Sequence, residues 1–204
     1  MSPRLLPTLL AGAVLLLAGC LPESKNPLST PATSTIDARL EGIYRQDREK
    51  SSDDLEGWHF HYRGVPTAGG SRVTPSLEVL DVTHMKNGGL RGNAYHALTT
   101  HLGGHDYISF VELGTSGKKG KAAPYSFARY EVDWAGNLRV WLASPQALEA
   151  AIKAGKLHGT VVPHKFGDDI FIADSTEGLA AFVAASDPAI LFGGKPLVLH
   201  RIAR

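Results

Sequence analysis

Two imidazoles stand two residues apart in Trp58-His59-Phe60-His61-Tyr62-Arg63, and on an extended strand that spacing turns both to one face. A strand so built can give two ligands to one zinc ion. His96, His101 and His105 form a second group around Thr99-Thr100 and the turn Gly103-Gly104, and the chain holds nine histidines in 204 residues. Neither group carries the His-Glu-x-x-His helical pattern, and no acidic residue stands at a matching offset. The expectation is that His59 and His61, the best-placed candidates, are polar-face residues of a strand and that no metal or other cofactor is held.

Nucleophilic chemistry finds less support. There is no Gly-x-Ser-x-Gly elbow, and Ser109 and Ser126 fall in strand-like stretches without a base beside them. Asp53-Asp54 and Asp168-Asp169 stand where turns are expected, and Asp is favoured there for its backbone hydrogen bonds. Gly69-Gly70 and Gly193-Gly194 lack the strand-to-helix setting of a phosphate loop and are expected to be hairpin turns. The first 19 residues carry one Arg and no acid, so 20 basic residues face 20 acidic ones in the remainder. No global field draws nucleic acid to such a surface. The one compact basic run, Lys118-Lys119-Gly120-Lys121, is expected to be a solvated loop.

The residue with the clearest chemical fate is Cys20, the only cysteine. Met1 to Arg4 is a short positive start, Leu5 to Ala18 is an apolar run of 14 residues, and Leu17-Ala18-Gly19-Cys20 follows. The run is too short to span a bilayer permanently. This pattern resembles the signal peptide and lipobox of bacterial lipoproteins. The resemblance implies removal of residues 1–19, a diacylglyceryl group on the Cys20 sulfur and acylation of the new amino terminus. Several chains are needed for a lasting tether, since one alone holds only marginally. The alternatives are an ordinary secreted protein cut after Ala11-Gly12-Ala13, or an uncleaved anchor. Leu21 stands where an Asp would suggest inner-membrane retention, so the family resemblance favours the outer membrane, facing the periplasm.

The elements that would carry these residues begin after a Pro-, Ser- and Thr-rich stretch, Pro22 to Thr35, which is expected to form a flexible spacer within a lipidated segment 20–36. One domain is expected over 37–204. Period-two alternation in 58–63 predicts a half-buried strand. Further strands are predicted at 77–85, before the turn Asn87-Gly88-Gly89, and at 93–100, 107–113, 125–133 and 138–143. Ala135-Gly136-Asn137 reads as a tight hairpin with Trp134 and Trp141 on its flanks. In 125–131 one face carries Tyr125, Phe127, Arg129 and Glu131 and the other Ser126, Ala128 and Tyr130, which suits either a semi-polar cavity wall or an exterior strand.

Two short helices are predicted late in the chain. Ser144 caps one that opens with Pro145 and ends at Gly155; Asp174, with Glu177 as its capping-box partner, starts another that Asp187-Pro188 ends. Both are expected to act as lids or plugs, with 170–173 and 196–202 as closing strands. Eight or nine antiparallel strands in short connections favour a closed up-and-down barrel, because closure removes exposed edges. A β-sandwich is the alternative.

Leu40-Glu41-Gly42-Ile43-Tyr44 is similar to the Gly-x-Trp opening of lipocalin-like barrels, with Tyr44 in the place of Trp. That likeness implies that Gly42, Tyr44 and Arg201 close one end of the barrel, the Arg packing across the aromatic ring. The whole layout resembles bacterial lipoproteins with a lipocalin-like domain, a likeness that brings no activity with it. The expected function is a non-catalytic binding module for an apolar or amphipathic ligand. The alternatives are an accessory lipoprotein docked on an envelope protein and, last, a His-based metal hydrolase.

Overall fold

The computed structural model describes residues 21–46, 57–66, 73–84, 89–114, 122–164 and 167–203. Cys20, Asp53-Asp54, Gly69-Gly70, Asn87-Gly88 and Lys118-Lys119-Gly120-Lys121 lie outside the described residues. Eleven strands are named in chain order: β1 (Glu23–Ser24), β2 (Gly42–Gln46), β3 (Gly57–Pro66), β4 (Val73–His84), β5 (Leu90–Leu102), β6 (His105–Glu112), β7 (Ser126–Val132), β8 (Leu138–Leu142), β9 (Gly159–Val162), β10 (Asp169–Ile172) and β11 (Leu197–Ala203). The helices are α1 (Pro145–Lys153), α2 (Thr176–Ala185) and α3 (Pro188–Leu191), with a 3-10 turn at Ala38–Leu40.

Eight of the strands form a closed barrel in the order β11-β2-β3-β4-β5-β6-β7-β8, with antiparallel pairing throughout. Closure comes from β11, which pairs with β2 on one side and β8 on the other. The sequence pattern carries this directly: one apolar cluster draws Tyr44, Phe60, Leu77, Ala97, Ile108, Ala128, Leu138 and Leu199 from all eight strands, so it fills the interior. Alternation in β3 puts Trp58, Phe60 and Tyr62 into that cluster and leaves His59 and His61 on the outer face.

The barrel has two unlike ends. At one, the turns Gly103-Gly104 and Asp133–Asn137 meet the 3-10 turn, whose Leu40 is 1% exposed and belongs to the interior cluster. This is the closed end. At the other, called the open end, lie Gln46, Glu112, Ser126, Leu142 and Leu197, the opposite tips of the strands, and no described residue beyond these tips joins the interior cluster as Leu40 does.

Three expectations change at this level. The helices are not lids across a barrel mouth. Their buried residues Leu148, Ala151, Leu179, Val183 and Leu191 pack with Tyr107, Phe127 and Trp141, the outward side chains of β6, β7 and β8, in a second cluster outside the wall. The face of β7 bearing Phe127 is therefore the outer one, covered at Phe127 and exposed at Glu131, while Ala128 and Tyr130 point inside. Nor does 170–173 close the barrel: β10 is the middle strand of a separate sheet, antiparallel to β9 and parallel to β1. Gly193-Gly194, expected as a hairpin turn, carries the chain from α3 into β11.

The larger correction concerns Pro22 to Thr35. Expected as a spacer, it is a strap fastened along the outer wall. Ser24 and Tyr125 exchange backbone hydrogen bonds of 2.7 and 2.8 Å, and the Lys25 N–H donates to the Ile172 carbonyl at 2.8 Å. The Leu28 N–H donates to Ser109 Oγ at 2.9 Å, Thr100 Oγ1 donates to Ser29 Oγ, and the Thr35 N–H donates to the Thr99 carbonyl at 2.9 Å. Leu28 is 2% exposed and joins the outer cluster. The strap thus runs from the open end to the closed end before the 3-10 turn crosses into the barrel.

Local capping follows the side-chain chemistry. Ser144 Oγ accepts from the Ala147 N–H, with Pro145 at the first helical position of α1. In α2 the cap is Ser175, which accepts from the Gly178 N–H, and not Asp174. Asp174 is occupied elsewhere: its carboxylate takes the His158 backbone N–H and Nδ1, both at 2.7 Å. Asp187-Pro188, expected only to end a helix, caps and opens the one-turn α3.

Candidate functional site

Three aromatic rings line the interior at the open end. Trp58 of β3 stacks on Tyr95 of β5 with centroids 6.4 Å apart, and Tyr95 meets Phe110 of β6 edge-on at 6.0 Å. They pack on the interior core yet remain partly exposed, unlike Tyr44 at 0%, Leu77 at 1% and Leu138 at 1% deeper down. Partly exposed rings packed on an apolar core, here termed the cup, are a surface on which an apolar group can stack. Register places charge around its rim. Asp81 is paired across from Trp58, and Glu112 across from Tyr95, so each shares a face with its ring. Burial, then the charges of Glu112 and Asp81, push the Tyr95 phenol up against the opposite pull of Arg91. Carboxylates and a guanidinium thus surround one hydroxyl. An apolar tail with a polar or ionic head suits this mixture.

Outside the wall at the same end, a groove of about 390 Å³ runs between the start of α1 and Gly193-Gly194, with Leu142, Ala143 and Ile190 among its lining.

The closed end is a latch. Arg201 reaches from β11 over the Tyr44 ring, 5.1 Å from its centroid, and its Nη2 donates to the Tyr44 hydroxyl and the Arg39 carbonyl. Tyr44 OH donates to that same carbonyl at 3.0 Å. Gly42 has φ +146, and a Cβ there would lie 2.6 Å from the Ala203 carbonyl oxygen, so glycine alone admits the close crossing of β2 and β11. Gly42, Tyr44 and Arg201 therefore meet in one corner. Asp37 and Arg39, neither singled out by spacing, complete it. The Asp37 carboxylate accepts from Arg39 Nε and Nη2 at 2.8 and 2.7 Å and from Tyr130 OH at 2.9 Å; Arg39 also bridges to Asp106, which holds His101 Nδ1 at 2.7 Å.

This latch carries an acid dependence. Burial alone would raise the Asp37 carboxyl, but the hydrogen bonds from Arg39 and Tyr130 outweigh it and hold it below the ordinary range. A depressed folded value means that the stabilisation is present above the unfolded value and is lost as pH falls through the folded one. Wild type is thus expected to lose urea resistance relative to Asp37→Asn as pH falls below the ordinary carboxylate range, about 4, the variant starting lower at neutral pH. Parallel curves for the two proteins would disprove the role.

The histidines disperse. His61 sits 3.8 Å from Glu41, His158 is held by Asp174, and His164 Nε2 lies 2.9 Å from Asp169. His59 remains on the outer face with its Nε2 buried and without a hydrogen bond. Among the described residues no three His, Cys, Asp or Glu side chains converge in a way that could hold a metal ion. Four of the nine histidines, His61, His101, His158 and His164, lie within 4 Å of a carboxylate that spacing along the chain did not announce.

The open-end cup was half visible in the sequence, where Trp58 alternates inward. Its partners Tyr95 and Phe110 are found only once β4 and β5 bring the strands into register. Compared with known proteins, the chain matches no family model, no curated protein and no solved structure.

Proposed function

We propose that this chain is a lipoprotein tethered by acyl chains on Cys20, with residues 1–19 as its signal peptide, whose lipocalin-like barrel is a non-catalytic binding module for an apolar or amphipathic ligand. The observation that carries the binding reading is the partly exposed trio of Trp58, Tyr95 and Phe110 at one end of a barrel interior whose other end is packed and latched. The Arg201 and Tyr44 contact at the far end supports the lipocalin-like likeness. Leu17-Ala18-Gly19-Cys20 supports the tether, and Leu21 supports the outer membrane, periplasmic face.

The test uses phenylnaphthylamine, an apolar fluorophore, on the chain from Leu21 onward. Saturable uptake with energy transfer from tryptophan is expected. Trp58→Ala is expected to weaken it at least about tenfold, or ~1.4 kcal/mol, while Trp134→Ala leaves it unchanged. No saturable uptake, or equal affinity in the Trp58 variant, defeats the reading.

A second reading, an accessory lipoprotein docked on an envelope protein, has one observation in its favour. Trp134 is 99% exposed at the tip of the β7 to β8 hairpin. That tip is held by Asp133, whose carboxylate accepts from Ala135 N–H, Asn137 N–H and Asn137 Nδ2 at 2.9 to 3.0 Å. An exposed indole on a braced turn is the kind of group that anchors protein interfaces. Loss of co-purifying protein on Trp134→Ala, with ligand uptake intact, is the result this reading expects.

A further inference from the structure

We infer that the open end of the barrel is held facing the bilayer into which the Cys20 acyl chains insert, so that its rim is a lipid-contacting surface. The inference rests on the tether proposed above. It comes from where the strap begins. Ser24 is 0% exposed and fixed to Tyr125 and, through the Lys25 N–H, to Ile172. Tyr125 immediately precedes β7, at the end of the barrel where β6 finishes and β8 stops. Only four residue steps separate Cys20 from Ser24, a reach of at most about 14 Å. The wall itself is longer: the eight residues of β6 rise roughly 25 Å. A tether that short cannot pass along the wall to bring the closed end onto the membrane. A flexible spacer would have left the orientation free; the strap removes that freedom.

The rim suits the placement. Leu90, Leu113, Leu142 and Ile190, exposed at 49, 50, 38 and 68%, stand respectively at the start of β5, just past β6, at the end of β8 and in α3. Leucine and isoleucine side chains of this kind enter the headgroup and acyl boundary of a bilayer. Lys25, Arg91 and Lys195 are exposed at the same end, where lipid phosphates attract them; Glu23 is exposed beside them. The closed end also exposes Trp134, Ile36 and Ile202, but it lies beyond the reach of the tether. In this posture an amphiphile would pass between the leaflet and the Trp58 cup without crossing open water.

The test uses the full chain, expressed with its own first 19 residues, in which an acylated Cys20 leaves no free thiol. Leu113→Cys, with Leu90→Cys as a second rim position, and Trp134→Cys are each labelled with a polarity-sensitive fluorophore. The proteins are then placed in vesicles of phosphatidylethanolamine and phosphatidylglycerol. A blue shift at both rim positions is expected, with quenching by nitroxide-labelled lipids and protection from aqueous iodide; the label at 134 is expected to stay iodide-accessible and unshifted. Acylated Cys20 by mass spectrometry with the rim labels in water overturns the orientation while the tether stands. An unmodified Cys20 in the folded protein overturns the tether and the orientation with it.

Discussion

Tyr44→Ala is expected to destabilise the barrel by about 3–5 kcal/mol, the range for removing a large buried aromatic side chain. The ring is 0% exposed, meets Phe60 edge-on at 5.3 Å and lies under the Arg201 guanidinium. Truncation opens a cavity and leaves Arg201 without its aromatic face. It also takes one of two donors from the Arg39 carbonyl, a group of the 3-10 turn. Single domains retain only about 5–15 kcal/mol in total, so this one change consumes a large share. Tyr44→Phe keeps the ring and loses hydrogen bonds, and is expected to cost about 1–2 kcal/mol. Urea unfolding followed by circular dichroism separates the two. A Tyr44→Ala loss below about 1 kcal/mol would mean that the corner is not integral to closure.

The strap makes the second strong prediction. A chain beginning at Asp37 is expected to lose the stable barrel, whereas one beginning at Leu21 is expected to keep it. Leu28→Ala alone is expected to cost about 2–5 kcal/mol. Removing the whole strap also uncovers the outer cluster around Tyr107 and strips partners from Ser109, Thr100 and Thr99, which are 0, 7 and 1% exposed. The combined loss is comparable with the whole stability of a domain this size. Dispersed amide resonances and an unchanged urea midpoint in the shorter chain would show the strap to be ornamental.

The strap is also where sequence and structure part company most, for a physical reason. In β3 the signal is local, because Trp58, Phe60 and Tyr62 alternate with polar neighbours and the period reports the face. The start of α1 is equally local, since Ser144 and Pro145 do their work within one turn. Pro22 to Thr35 has neither period, and its burial rests on Leu28 and on hydroxyl and backbone pairs with β5, β6 and β7. Those partners stand 71 positions on for Ser29 and 81 for Leu28. Nothing in the segment itself marks them. The start of α2 failed differently. Asp174 and Ser175 are both good caps, and the choice fell to Ser175 because His158, 16 positions back, claims the carboxylate. The barrel interior was legible from alternation, but the outer layer was not. Phe127 and Trp141 gain cover from Leu28 of the strap and from helices that follow them, so the mixed face of β7 is buried at Phe127 while Glu131 on it stays exposed.

The parallel pairing of Glu23 with Phe171 also sets an order of events. Asn26 hydrogen-bonds to Asp174 across 148 positions, so the first segment of the domain to be synthesised is among the last to find its partners. Contacts of such separation demand loop closure before they return any stabilisation, and they slow folding. Until β10 exists, Glu23 to Asn26 lack Phe171, Ile172 and Asp174, although Leu28, Ser29 and Thr35 already have Ser109, Thr100 and Thr99 to bind. Completion of the fold then draws residue 24 tight against the barrel, coupling the end of synthesis to the fixing of its beginning.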